Sequence, residues 1–165
     1  MKLRQAELRN DLHLSGEEVT SVETLSNISD IISNFEPQDS ENKSEKILFV
    51  TTGGMYSEVL VAARALALEN VSSDIYSLRF IKPIDEKYFI EIASAYKGIV
   101  FVEDGIISGG ISEFLSGLCS KNGITNFVVK AFLEDFYPNG TRHQICKLAK
   151  VSSEDLKNSA LSLIK

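Results

Sequence analysis

The chain has 165 residues, 44% of them hydrophobic and 24% charged, with a formal net charge of −6 at neutral pH. That length suits one domain with a single sizeable core, and the composition excludes global disorder. The acidic balance, with lysines and arginines scattered rather than clustered, argues against binding nucleic acid or an anionic membrane.

The N-terminal stretch Met1-Lys2-Leu3-Arg4-Gln5 carries no apolar leader, and no segment approaches the ~18 apolar residues of a spanning helix, so a cytoplasmic protein is expected. From Ser15 a helix is predicted: Ser15 and Glu18 have capping-box spacing, and Val19, Val22, Leu25, Ile28, Ile32 and Phe35 recur every three or four residues. Residues 36–44 contain a proline and no large apolar residue, and read as a linker. Residues 1–44 are therefore an N-terminal extension, and residues 45–165 the domain proper.

The pattern sharpens from residue 45. Ile47–Thr51 is apolar enough for a strand buried on both faces. Gly53-Gly54 frees the backbone at its end, and Ser57 is placed to cap a helix with Val59, Leu60, Ala63, Leu66 and Ala67 on one face. Asn70 stops that helix, and Ser73–Leu78 is a second strand. After the turn Arg79-Phe80-Ile81-Lys82-Pro83-Ile84-Asp85, Asp85 is the expected N-cap of a helix burying Phe89, Ile92, Ala93 and Tyr96, which Gly98 ends.

Ile99-Val100-Phe101-Val102 is a third strand, and Glu103 to Gly110 a glycine-rich turn. The helix it opens should point Ile111, Phe114, Leu115 and Leu118 inward, with Asn122-Gly123 as its stop. Phe127-Val128-Val129 begins a fourth strand, and residues 133–140 form an irregular crossover. Thr141 with Gln144, and Ser152 with Asp155, mark two further helix starts, the last helix burying Leu156, Ala160, Leu163 and Ile164. Strands alternating with helices predict a three-layer α/β/α Rossmann-like sandwich with a mostly parallel sheet.

Several residues are candidates for chemistry. Glu103 and Asp104 stand at a strand's carboxyl end, the favoured ligand position in open α/β sheets, yet neighbours on an extended chain point opposite ways. One is expected to cap the following turn and the other to pair across an interface. The loop Gly105-Ile106-Ile107-Ser108-Gly109-Gly110 has the makings of an anion cradle at a helix N-terminus, but lacks the P-loop and dinucleotide orders, so tight-turn geometry competes with that reading. Ile106 and Ile107 in such a turn point to a buried contact with another domain or subunit. Arg79, Lys82, Pro83 and Asp85 read either as a salt-bridged interface element or as an N-cap with two solvated cations. His13 and His143 have no triad companions, and Cys119 and Cys146 have no metal-ligand spacing.

Over residues 45–165 the chain resembles the C-terminal domain of transketolase-type thiamine-diphosphate enzymes, and within them 1-deoxy-D-xylulose-5-phosphate synthase. The matching residues are Thr51-Thr52-Gly53, the Arg79–Asp85 turn, Val102-Glu103-Asp104-Gly105 with Gly109-Gly110, and the segment from Phe136 to Gly140-Thr141. Asn139 stands where the synthases carry a histidine. The resemblance implies a Rossmann-like layer with one antiparallel edge strand that forms dimers and braces the catalytic domains. In such enzymes pyruvate condenses with glyceraldehyde 3-phosphate, losing CO₂, toward isoprenoid precursors.

Thiamine diphosphate and Mg²⁺ are held by the preceding domains in that family, whose activating glutamate and Gly-Asp-Gly motif are not in residues 1–165. This chain alone is expected to bind no cofactor and to be inactive, with itself or the catalytic domains as partner. The alternatives are a stand-alone binding or regulatory protein, or the C-terminal part of a split transketolase or of a 2-oxoacid dehydrogenase β-subunit.

Overall fold

The computed structural model describes residues 46–132 and 137–164. The helix expected over Val19–Phe35, the linker and half of the crossover lie outside them. Four strands, β1 (Ile47–Thr51), β2 (Ser73–Ser77), β3 (Gly98–Ile106) and β4 (Phe127–Phe132), form one sheet in the order β2-β1-β3-β4. Every pairing is parallel, with Ile47 opposite Ser73 and Gly98, and Ile99 opposite Phe127. The antiparallel edge strand implied by the resemblance is not among the described residues.

Five helices connect and cover the strands: α1 (Tyr56–Leu68), α2 (Glu86–Ala93), α3 (Ile111–Lys121), α4 (Arg142–Leu148) and α5 (Ser153–Ser162). Alternation along the two central strands divides the core. Ile47, Phe49, Val100 and Val102 face α1, α4 and α5, together with Val59, Leu66, Cys146 and Leu156. Leu48, Val50, Ile99 and Phe101 face α2 and α3, with Phe89, Leu115 and Cys119. On that second face rings run across the sheet, Tyr76 to Phe89 to Phe101 to Phe127, at centroid distances of 5.9, 6.4 and 5.8 Å. The expected three-layer sandwich is the one observed.

Local chemistry sets most boundaries. Asn70 adopts φ +60° and closes α1, where Val71 N–H donates to Leu66 O at 3.0 Å. Asp85 caps α2, accepting from Tyr88 N–H at 3.0 Å. Both late capping boxes form, Thr141 with Gln144 and Ser152 with Asp155.

Four expectations need correction. Ser57 does not cap α1: a 3₁₀ turn over Gly53–Met55 leads into the helix, and the Ser57 hydroxyl donates back to Gly54 O. Within α1 the buried side is Val59, Ala62 and Leu66, while Ala67 is exposed. Gly98 is the first residue of β3 rather than a helix stop, because α2 has already ended at Ala93 and Tyr96 lies beyond it. Phe114 does not face inward: α3 buries Ser112, Leu115 and Cys119, a face rotated away from Phe114.

Candidate functional site

The strand order places a topological switch point between β1 and β3. From β1 the chain passes through α1 to β2 on one side, and through α2 to β3 on the other, so the carboxyl ends of these two central strands diverge. Thr51-Thr52-Gly53 and Glu103-Asp104 meet there. The sequence treats Glu103 onward as a turn, but β3 continues to Ile106 through an irregularity after Val102, with Ile106 opposite Phe132.

The two neighbouring carboxylates leave β3 on opposite faces. Glu103 turns to α3, where Oε1 accepts from Ile111 N–H at 3.1 Å and Oε2 from Ser112 N–H at 3.0 Å. Gly110 is the N-cap of α3 and has no side chain to do this itself. A Cβ on Gly110 would lie 2.5 Å from Glu103 Oε2, so the strand's carboxylate occupies the space of the missing cap. The anion position at this helix start is filled by the chain's own Glu103.

Asp104 turns to the other face and pairs with Arg142 of α4, Oδ2 to Nη2 at 3.5 Å. Gly54 makes room for the pair: its Cβ would stand 2.6 Å from Asp104 Oδ2 and 3.0 Å from Arg142 Nη2. Arg142 also reaches the sulfur of Met55 at 3.4 Å. One turn along α4, burial pushes the Cys146 thiol up, Arg142 opposing and Glu58 and Asp104 adding to the rise. A thiol so held is protonated near neutrality and is a poor nucleophile. Glu103 thus caps as expected, whereas the partner of Asp104 lies within the chain rather than across an interface.

The Arg79–Asp85 turn belongs to the same carboxyl edge but follows β2, on the far side of β1 from the Glu103–Gly110 segment. Arg79, Lys82 and Pro83 are exposed, the Lys82–Pro83 peptide is cis, and Asp85 is committed to its helix. The structure therefore places the candidate residues along one edge rather than in one pocket. What the edge shares is apolar exposure: Phe80, Ile81, Ile106, Ile107 and Phe114 are each 40–52% exposed. Phe80, Ile81 and Phe114 were not among the sequence candidates; large apolar residues in a turn were the available signal for the first two. Arg142 was missed because its partner is distant in sequence.

Among the described residues no group of three or more His, Cys, Asp or Glu is placed to hold a metal ion, and no helix is long and apolar enough to cross a membrane.

Comparison with known proteins puts a family on this geometry. The family "Transketolase, C-terminal domain" matches residues 39–156. The 1-deoxy-D-xylulose-5-phosphate synthase of Treponema pallidum (strain Nichols) is 42% identical over 108 residues, covering 65% of this chain and 17% of that protein. The synthase of Clostridium perfringens (strain 13 / Type A) is 31% identical over 127 residues, 74% of this chain and 20% of that protein. A solved structure described as a split gene transketolase, an inactive beta4 tetramer, superimposes with a TM-score of 0.66 at 19% identity, covering 74% of this chain and 40% of that one. The chain therefore spans about a fifth or less of the length of these curated relatives. It belongs to the transketolase C-terminal domain family, and within it is similar to the C-terminal domains of 1-deoxy-D-xylulose-5-phosphate synthases.

Proposed function

We propose that this chain is the structural and docking domain of a synthase-like enzyme that condenses pyruvate with glyceraldehyde 3-phosphate, and that it contributes no catalytic group of its own. The observation that carries the reading is the contrast at the carboxyl edge. The crevice where open α/β sheets bind ligands is closed by internal partners, Glu103 on α3 and Asp104 on Arg142, while five large apolar side chains beside it face outward. Such a surface fits another protein surface better than a small polar substrate.

Thiamine diphosphate and Mg²⁺ do not fit the described residues. A diphosphate needs free N–H donors or cations, and the α3 N–H groups facing the crevice already donate to Glu103. Mg²⁺ wants a cluster of oxygen ligands, and the two crevice carboxylates point apart. We place both in the remainder of the enzyme, which is also the occupant we assign to the apolar edge. The curated relatives are about five to six times as long as the matched region, so most of the protein that such an edge would meet lies outside it. Residues 1–44 we read as an extension preceding the domain, and the two buried free thiols favour a reducing, cytoplasmic setting.

A chimera tests this. In the Treponema pallidum synthase, the 108 matching residues would be replaced by the corresponding residues of this chain. We expect the chimera to fold, to assemble as the parent does and to turn over pyruvate with glyceraldehyde 3-phosphate, with no turnover by this chain alone. A soluble, thiamine-loaded chimera without activity, or turnover by the isolated chain, sinks the proposal.

A further inference from the structure

The docking edge carries a segment whose shape is fixed by two acidic side chains. Ile106 ends β3 and Ile107 follows it; both are exposed. Beneath them Glu103 holds the Ile111 and Ser112 N–H groups. Beyond them Glu113, in the first turn of α3, reaches back and accepts from Gly109 N–H at 2.6 Å. Gly109 has φ +76°, a conformation that a residue with a side chain adopts at a cost, and Gly110 N–H closes the turn on Ile107 O at 3.3 Å. The strand end, the turn and the helix start are thus tied together around Ile107.

We propose that Glu113, together with Glu103, is a positioning residue for docking: the two carboxylates hold the Ile106–Ile107 tip in its outward conformation, so that binding to the catalytic remainder of the enzyme need not order it. The inference rests on the docking function proposed above and adds residues to it. Glu113 meets no partner on its own account; it acts through the shape of the tip. Holding a contact element in its bound form strengthens association by removing the ordering cost, which for one short turn is worth about tenfold in Kd. Glu103 alone would not suffice, because it is tied to α3 beyond the turn and leaves the Gly109 N–H free to swing. Glu113 closes that freedom.

The test uses the full 165-residue chain and, as probe, the Treponema pallidum synthase lacking its 108 matching residues, with Kd from calorimetry. Glu113→Ala should weaken binding about tenfold, raise hydrogen exchange at the 107–110 amides and leave the thermal midpoint within a few degrees. Glu113→Gln, whose amide oxygen still accepts from Gly109 N–H, should restore most of the affinity. Ile107→Lys, which buries a charge in the interface, should abolish binding. Unchanged affinity for Glu113→Ala alongside loss for Ile107→Lys would overturn the positioning role and leave the docking surface standing. Wild-type affinity for Ile107→Lys, or no binding by the wild-type chain, would overturn the docking surface itself.

Discussion

At the amino edge of the sheet Asp74 accepts from the Tyr96 hydroxyl at 2.8 Å and lies 3.7 Å from Lys46 Nζ, while Asn126 donates to both Lys97 O and Leu163 O. Gly98 lies beneath Leu163, where a Cβ would approach the leucine Cβ to 2.8 Å. These polar groups are matched, although Leu68 at the end of α1 is 87% exposed and the Ser73 hydroxyl is buried with no hydrogen-bond partner among the described residues. At the carboxyl edge Glu103 and Asp104 each have a partner too, though the buried Thr51 hydroxyl has none among the described residues, and five large apolar side chains are left facing out. Large apolar side chains thus gather at the carboxyl edge, five of them there, with Leu68 exposed at the amino edge. Internal satisfaction of polar groups is therefore no sign that a surface is finished; uncovered apolar area is the more telling quantity.

Substitutions at the amino edge should act on stability. Gly98→Val drives a branched side chain into Leu163 and Ile47 and should lower unfolding free energy by about 3 kcal/mol, read from the urea midpoint. Full stability in that variant would mean that the amino edge is looser than its contacts show.

Alkaline titration probes the core behind both edges. Burial raises the Cys119 thiol to about 11, and burial with the charges of Tyr88 and Asp85 raises Tyr76 to about 12. The folded chain therefore holds these protons more tightly than the unfolded one. Their contribution is complete below the ordinary thiol and phenol values and is lost as pH rises toward the folded ones. Stability should fall between about pH 9 and 11 by up to about 1.4 kcal/mol per pH unit for the thiol alone. Cys119→Ala should flatten that fall while lowering stability overall; an unchanged slope in denaturation curves would dismiss the thiol as its source.

The two carboxylates of the carboxyl edge should differ although they are neighbours. Glu103→Ala strips the cap from α3 and should cost about 1–2 kcal/mol, with faster hydrogen exchange at Ile111 and Ser112. Asp104→Asn breaks a pair whose side chains are 34% and 51% exposed, and should cost under about 1 kcal/mol in the same assay. Equal costs would contradict the division of labour across β3. Smallest of all, Thr51→Val removes a buried hydroxyl with no hydrogen-bond partner among the described residues, and should be neutral or raise the thermal midpoint slightly.

The sequence made the fold readable because its strongest signals are local. Asp85, Thr141 and Ser152 cap helices through residues three positions on, and β1 and the first half of β3 are apolar at nearly every position. The opposed directions of Glu103 and Asp104 follow from strand alternation alone. What could not be read depends on parts brought together by folding. The strand character of Glu103–Ile106 comes from pairing with β4, and the pairing of Asp104 with Arg142 from the seating of α4 over the β1 turn. The outward position of Phe114 is of the same kind, since helical spacing marks it as apolar but not as uncovered.

Glu103 and Gly110 share one volume, and that links their fates over generations. A side chain at position 110 collides with the glutamate; a shorter residue at position 103 leaves α3 uncapped. Neither position can drift alone without loss, and position 110 cannot take over the cap, because a Cβ there would also stand 2.7 Å from the backbone oxygen of Ile106. Gly110→Ser should therefore be harmful beside Glu103 and stay harmful beside Ala at 103, read from thermal midpoints. Position 110 is thus tied to glycine twice, by a carboxylate seven residues away and by the strand's own backbone.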